Sequence, residues 1–310
     1  MGTPELAVLI STYQRPAHLY RCLLSLTQQV NVQGLFEVVI TDDGSNDDTL
    51  ALAEYFSNLV DFSIKFTTHT HQDFQLSRCR NEGIAVSSAA YLLITDGDCI
   101  FPRDHLHAHL KFRRSGSVVA GDCYRLLERQ SSQIDESAIQ AGDFKQWVDR
   151  RERQRIRGKA VRAFIYSYLP YKMLPRLTGN NIGVWRKDLV ACNGFDENFV
   201  GWGLEDRDLQ RRLSMLGIRC RSILHRTAAY HLWHPPAPSF ARNGVGTQNL
   251  AYYHQASVSA RCQRGLSERT PSTEDRLSRP QVGVRKPLPI SPPSFNNRTT
   301  LPSSGLKNVA

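Results

Sequence analysis

Four short apolar runs at nearly even spacing constrain this chain more than any other feature: Leu6-Ala7-Val8-Leu9-Ile10, Phe36-Glu37-Val38-Val39-Ile40, Phe62 to Thr67, and Tyr91-Leu92-Leu93-Ile94-Thr95. A run of about five apolar residues closed by polar or turn residues reads as a buried strand. Between the runs lie stretches with helical signals: Ala17 to Gln29 behind Pro16, about Asp48 to Asn58, and Ser77 to Ser87. Proline suits a first helical turn because its missing N–H would find no partner there. The order is βαβαβαβ, so the expected fold class is α/β, a mostly parallel central sheet flanked by helices.

Three of these strands end in hydroxyls and acids: Ser11-Thr12, Thr41-Asp42-Asp43-Gly44-Ser45, and Asp96-Gly97-Asp98. Open α/β sheets place their ligands beyond these carboxyl ends. Two carboxylates flanking one glycine can hold a hard divalent cation, and the cation can neutralise a diphosphate. The same tripeptide also makes a turn with solvated acids. The loop Ser11-Thr12-Tyr13-Gln14-Arg15-Pro16 has none of the glycines of a dinucleotide fingerprint or a P-loop, which argues against both. Asp42 and Asp43 can accept base N–H or ribose hydroxyl groups, which suits a nucleoside better than a bare phosphate. The phosphates then need cations, for which a metal at Asp98, with Arg80 or Arg15, is the candidate.

Past Asp98 the alternation weakens. Helices are expected over His105 to Arg114, over the basic stretch Asp143 to Arg162, and over Glu205 to Leu216, where Gly217 supplies the cap. Strand signals cover Val118 to Tyr124 and Val184-Trp185. Gly179-Asn180-Asn181 reads equally as a turn or as the wall of a sugar pocket, since glycine admits close approach. His231-Leu232-Trp233-His234 offers two imidazoles that one metal can reach if the segment turns. His69, His71, His105, His107 and His109 are dense but lack an accompanying acid motif, so surface or supporting roles are expected. Gln75 and Arg78 are further candidate donor contacts.

The formal charge of +10 is unevenly spread. Residues 261–310 hold nine Lys/Arg against three acids, a net of +6, together with seven of the fifteen prolines. That composition reads as a disordered basic Pro/Ser-rich tail. Residues 143–162 hold eight basic against three acidic residues, a net of +5, which suits phosphates, anionic lipid or a solvated helix face. Nucleic acid is not an expected partner, because only charge points to it. The seven cysteines are scattered without a CxxC pair and read as free, mostly buried thiols. No apolar run approaches the roughly 20 residues of a bilayer span, and Met1 to Ala7 lacks a signal peptide's basic and apolar regions. A cytoplasmic location is therefore expected, with 143–171 suited to peripheral contact on the inner face of the membrane.

Val8 to Pro16, Val39 to Thr49, Arg80-Asn81-Glu82-Gly83 and Asp96-Gly97-Asp98 resemble, in order, the motifs of family 2 glycosyltransferases with the GT-A fold. Gly194-Phe195-Asp196-Glu197 and Gly201-Trp202-Gly203-Leu204-Glu205-Asp206-Arg207-Asp208 resemble the galactosyltransferase-type segment of β-1,4-galactosyltransferases and bacterial polysaccharide enzymes. The resemblance implies that Thr12, Asp42 and Asp43 hold the nucleoside of a UDP-sugar. It also implies that Asp96 contacts the ribose or diphosphate side and that Asp98 ligates Mn²⁺ or Mg²⁺, with His234 and His231 completing the set. Asp206 becomes the base and Glu205 an acceptor-binding acid. Trp202 is a plate for a sugar ring or an ordinary core tryptophan.

The expected organisation is one GT-A domain over 1–260, followed by the tail over 261–310. Residues 1–100 form the nucleotide-sugar half and 101–260 the acceptor half. The expected activity is inverting, metal-dependent transfer of a hexose or N-acetylhexosamine from a UDP-sugar to a glycan or glycolipid hydroxyl. A non-catalytic carbohydrate- or nucleotide-sugar-binding protein of the same fold is the alternative.

Overall fold

The computed structural model describes residues 2–166, 174–236, 248–254 and 258–268. A seven-stranded sheet forms the centre, in the order β3 (Ser63–Thr68), β2 (Phe36–Asp42), β1 (Leu6–Thr12), β4 (Tyr91–Asp96), β8 (Ile182–Trp185), β6 (Ser117–Ala120), β9 (Arg219–Ser222). β8 runs against both its neighbours, and the remaining pairs are parallel. The mostly parallel α/β sheet expected from the apolar runs is what forms, with boundaries shifted by a residue or two.

All seven residues of β1 are buried, and they divide by parity. Leu6, Val8 and Ile10 pack into one core with α1 (Pro16–Thr27) and α2 (Thr49–Ser57). Ala7 and Leu9 face the other, with α3 (Leu76–Val86), α8 (Arg186–Cys192) and α9 (Glu205–Met215). A strand covered on both faces needs no polar alternation, which is why the Leu6-to-Ile10 run is continuously apolar. Register does the positional work: Thr12 pairs with Asp42, and Ser11 with Asp96, so the three strand ends meet along one edge.

A second sheet joins β5 (Cys99–Ile100), β10 (Ala229–His231) and β7 (Cys123–Arg125). The single strand expected over Val118 to Tyr124 is thus two strands in two sheets. The break is at Gly121-Asp122, where a Cβ on Gly121 would lie 2.2 Å from the Asn181 side chain. Asp122 is buried and held by Arg155 and Lys159 of α7 (Arg150–Tyr166), so two cations of the basic stretch serve the interior. The helix also starts later than expected, after a turn of 3₁₀ helix at Lys145–Trp147.

The expected tail boundary at 261 falls inside a packed segment. Cys262 is buried, its N–H donates to Cys192 O, and Leu266 donates to Asn193 O while packing on the second core. Residues 269–310, and 167–171 of the stretch suited to membrane contact, lie outside the described residues. All seven cysteines are free and six are buried. Among the described residues, no helix is long and apolar enough to cross a membrane.

Candidate active site

β4 delivers Asp96, and the turn at Gly97 carries the chain to Asp98 at the start of the second sheet. Gly97 is pressed against Thr12, whose side chain would lie 3.1 Å from an added Cβ. Across the second sheet, Leu232 N–H donates to Asp98 O at 2.8 Å, placing His231 and His234 beside the Asp98 carboxylate. His231 Nε2 lies 3.3 Å from Oδ1, His234 Nε2 lies 3.0 Å from Oδ2, and Arg15 Nη1 is 3.1 Å from Oδ2. The three metal-capable ligand atoms of Asp98, His231 and His234 all lie within 4.8 Å of one another. Burial alone would raise the Asp98 carboxyl, but His231, His234 and Arg15 outweigh it and hold it well below the usual carboxylate range.

Asp96 faces a different group. Arg80, on α3, is 1% exposed, and its guanidinium reaches Asp96 Oδ1 at 3.6 Å, Glu205 Oε1 at 3.2 Å and Asp206 Oδ1 at 2.8 Å. Burial, with Asp98 adding, pushes Asp96 up to about 6 against the pull of Arg80. Burial and the neighbouring Asp206 likewise push Glu205 up to about 7. The expected help of Arg80 to a diphosphate is not the role this geometry favours, because its charge is spent on three acids.

Glu205 and Asp206 open α9 after a left-handed bend at Gly203 and Leu204, where φ is +100° and +78°. Acids suit this first turn because the helix dipole favours negative charge there. Asp206 Oδ2 accepts the Gly179 N–H at 2.7 Å. A Cβ on Gly179 would lie 2.0 Å from Arg80 Nη2, so the close approach that glycine permits is to Arg80. Glu205 Oε2 is buried without a hydrogen-bond partner. Trp202 is 46% exposed, which excludes the core reading of its indole.

At the carboxyl end of β2, Asp42 accepts from Ser45 N–H and from the hydroxyls of Ser45 and Thr68, which secures the loop after β2. Asp43 donates its N–H to Thr12 O and pairs with His69. His69 also meets Glu82, so an acid pair does accompany these histidines, contrary to expectation. His105 and His109 are fully buried rather than surface residues, bonded to Thr227 and Asn181. Gln75 and Arg78 bond to each other, and Arg78 to Glu82. Sequence reasoning also missed His18, whose Nε2 lies 3.0 Å from Trp233 O, and the Tyr13–His71 ring stack. Neither has a local sequence signal.

Acid-bearing strand ends around a metal-capable cluster, on a sheet of this topology, define a glycosyltransferase domain of the GT-A class. Solved structures agree on the fold. A mannosyltransferase of Pyrobaculum calidifontis in complex with GDP-Man and Mn²⁺ aligns at TM-score 0.53 and 17% identity, covering 78% of this chain and 60% of that one. TarS of S. aureus with UDP-GlcNAc aligns at TM-score 0.55 and 17% identity, covering 76% and 60%. The model for glycosyl transferase family 2 matches residues 7–173, and that for the N-terminal domain of galactosyltransferase matches 159–235. The chain belongs to glycosyl transferase family 2.

Among curated relatives, the validoxylamine A glucosyltransferase of Streptomyces hygroscopicus subsp. limoneus is 28% identical, covering 69% of this chain and 49% of its own. The chondroitin synthase of Escherichia coli is 25% identical, covering 79% and 37%. The chain spans about half the length of the first of these relatives.

Proposed function

We propose that this chain is an inverting, metal-dependent transferase that moves a hexose or N-acetylhexosamine from a UDP-sugar to a hydroxyl of a glycan or glycolipid. The observation that carries this reading is the convergence of Asp98, His231 and His234 beside an acid cluster that ends in Asp206. The side chains of His231 and His234 are part exposed, which leaves a ligand room to approach. One carboxylate with two imidazoles favours Mn²⁺ over Mg²⁺, which takes oxygen ligands almost throughout. A cation held by these three residues supplies charge neutralisation for the departing diphosphate. The mannosyltransferase structure with GDP-Man and Mn²⁺ and the TarS structure with UDP-GlcNAc support a nucleotide-sugar donor.

The protein's own groups divide the remaining work. Thr12, Asp42 and Asp43 receive the nucleoside, and Arg15 adds charge beside Asp98. Asp206 is the base for the acceptor hydroxyl, as inversion requires on the face opposite the leaving group. Arg80 and the Gly179 N–H fix both its oxygens in orientation while leaving lone pairs free. Glu205, pushed up to about 7 and so shared between its protonated and ionised forms at neutral pH, can donate to or accept from an acceptor hydroxyl through Oε2. Trp202 offers its exposed face to a sugar ring. The exposed Arg150, Arg151, Arg153, Arg157 and Arg162, beside exposed Val161 and Ile165, support peripheral contact with anionic lipid, which vesicle co-sedimentation tests.

The wild-type protein is expected to release UDP from a member of a UDP-sugar panel in the presence of Mn²⁺, and to stop when the metal is chelated. Full activity in Asp98→Ala would sink the metal assignment. UDP binding without turnover, unchanged in Asp206→Asn, would leave a binding protein instead.

A further inference from the structure

The nucleoside end holds a cluster that neither the metal site nor the base explains. His69 follows β3, has a side chain only 3% exposed, and has a carboxylate on each ring nitrogen. Nε2 lies 2.8 Å from Asp43 Oδ1, and Nδ1 lies 2.9 Å from Glu82 Oε2. A neutral imidazole has one N–H and satisfies one acceptor, so two carboxylate partners require both nitrogens protonated. Asp43 holds a second imidazole in turn. His71 Nδ1 is 2.8 Å from Asp43 O and 3.3 Å from Oδ2, and its ring stacks on Tyr13 with centroids 4.2 Å apart at 10°. The series Glu82, His69, Asp43, His71, Tyr13 therefore ties α3 to an aromatic pair at the mouth of β1 and β2.

We propose that His69, as a doubly donating imidazolium, is the positioning residue of the nucleoside end, so that donor binding weakens when His69 gives up a proton. The proposal rests on the reading of Asp43 as a nucleoside contact. With one N–H left, His69 can hold Asp43 or Glu82 but not both. Glu82 keeps Arg78 in either case, so the contact at stake is that of Asp43: without the Nε2 proton its carboxylate is left with the longer contacts to the Gln75 N–H and His71 Nδ1, both 3.3 Å, and it, the His71 ring and the stacking surface lose their fixed position.

The groups facing His69 are Asp43 from the end of β2, His71 from its own loop, and Glu82, Arg78 and Cys79 from α3. Burial disfavours the charged ring and Arg78 opposes it, but the two carboxylates outweigh both and hold the proton above the usual histidine range. Asp43, His69 and Cys79 also have ligand atoms within 4.8 Å of one another. A metal there would take the place of the Nε2 proton, and the two arrangements exclude each other.

The test is UDP affinity by calorimetry from pH 6 to 8.5, at one saturating Mn²⁺ concentration throughout. Wild-type affinity is expected to fall toward the alkaline end. His69→Gln keeps a donor but cannot titrate, so its affinity should be about tenfold weaker at pH 6 and flat with pH, the cost of one charge-assisted hydrogen bond. Glu82→Gln leaves fewer charges to hold the proton and should move the wild-type fall to lower pH. That shift assigns the titration to His69 rather than to His231 or His234. In turnover, both variants should raise the donor KM with kcat within about twofold.

A flat wild-type profile, or a Glu82→Gln profile that superimposes on wild type, overturns the proposal, and the second decides alone if His69→Gln does not fold. Stoichiometric metal that survives chelation and is lost in Cys79→Ser also overturns it. A wild-type protein that binds no UDP at any pH overturns the donor reading itself, and this inference with it.

Discussion

Asp96 and Asp98 are separated by one glycine, yet they sit in opposite electrostatic settings. Around Asp98, one carboxylate meets three groups able to carry positive charge: Arg15, His231 and His234. Around Asp96, three carboxylates share the single guanidinium of Arg80. Asp98 is buried and Asp96 part buried, and desolvation pushes both upward. The surplus of cations reverses that at Asp98, and the surplus of acids leaves Asp96 at about 6 and Glu205 at about 7. Local charge count, rather than residue type or burial, thus makes one aspartate a permanent anion suited to a cation and its neighbour part of a proton-sharing group.

The sharpest way to break this division is Asp206→Asn. If the acids around Arg80 handle the proton and those around Asp98 the metal, kcat falls by about a thousandfold, within the range for losing a general base, while Mn²⁺ affinity by calorimetry is unchanged. A rate loss below tenfold would place the base elsewhere.

Arg80→Met removes the one cation shared by the three acids. Leaving the buried Glu205 and the part-buried Asp96 and Asp206 without their cation costs up to about 3–5 kcal/mol, which urea unfolding should register. The loss should shrink when Asp96→Asn and Glu205→Gln are added to the same chain, because the acids no longer need the cation. A loss that stays constant across that series would show Arg80 to act by packing alone.

The smallest effect is one of pH. The folded-state pKa of Glu205, about 7, lies above its ordinary value of 4.5, so its contribution to stability is present below about 4.5 and lost as pH rises through about 7. Glu205→Gln removes that loss. It should be more stable than wild type at pH 8 by about 1–2 kcal/mol, and much closer to it at pH 5, in thermal melts at the two pH values. An equal difference at both would detach Glu205 from the proton-sharing group.

The central sheet could be read from sequence because its signals are local. The β1, β2 and β4 runs are apolar at nearly every position since both their faces are covered, and turn residues end them. Asp98 and the HxxH segment were readable as residue types with coordinating chemistry. What was hidden depends on partners far along the chain. Arg80 reads as an available cation until α9, about 125 positions on, brings Glu205 and Asp206 to it. His69 reads as one of a crowd because its two acids come from different elements. The Val118 to Tyr124 run carries a strand's composition over its whole length, and only contact with Asn181 splits it at Gly121.

The backbone bond from Leu232 to Asp98, with His231 registered against Cys99, has a consequence for how such a chain can diversify. The spacing of the metal-capable groups is set by main-chain pairing of β5 and β10, not by the long stretch of chain between them. Loops within that stretch can lengthen, shorten or change their side chains while these groups keep their separation. If that stretch receives the acceptor, as proposed, its loops are exchangeable inserts on a constant frame, and loop exchange between relatives becomes a practical route to new acceptor preferences.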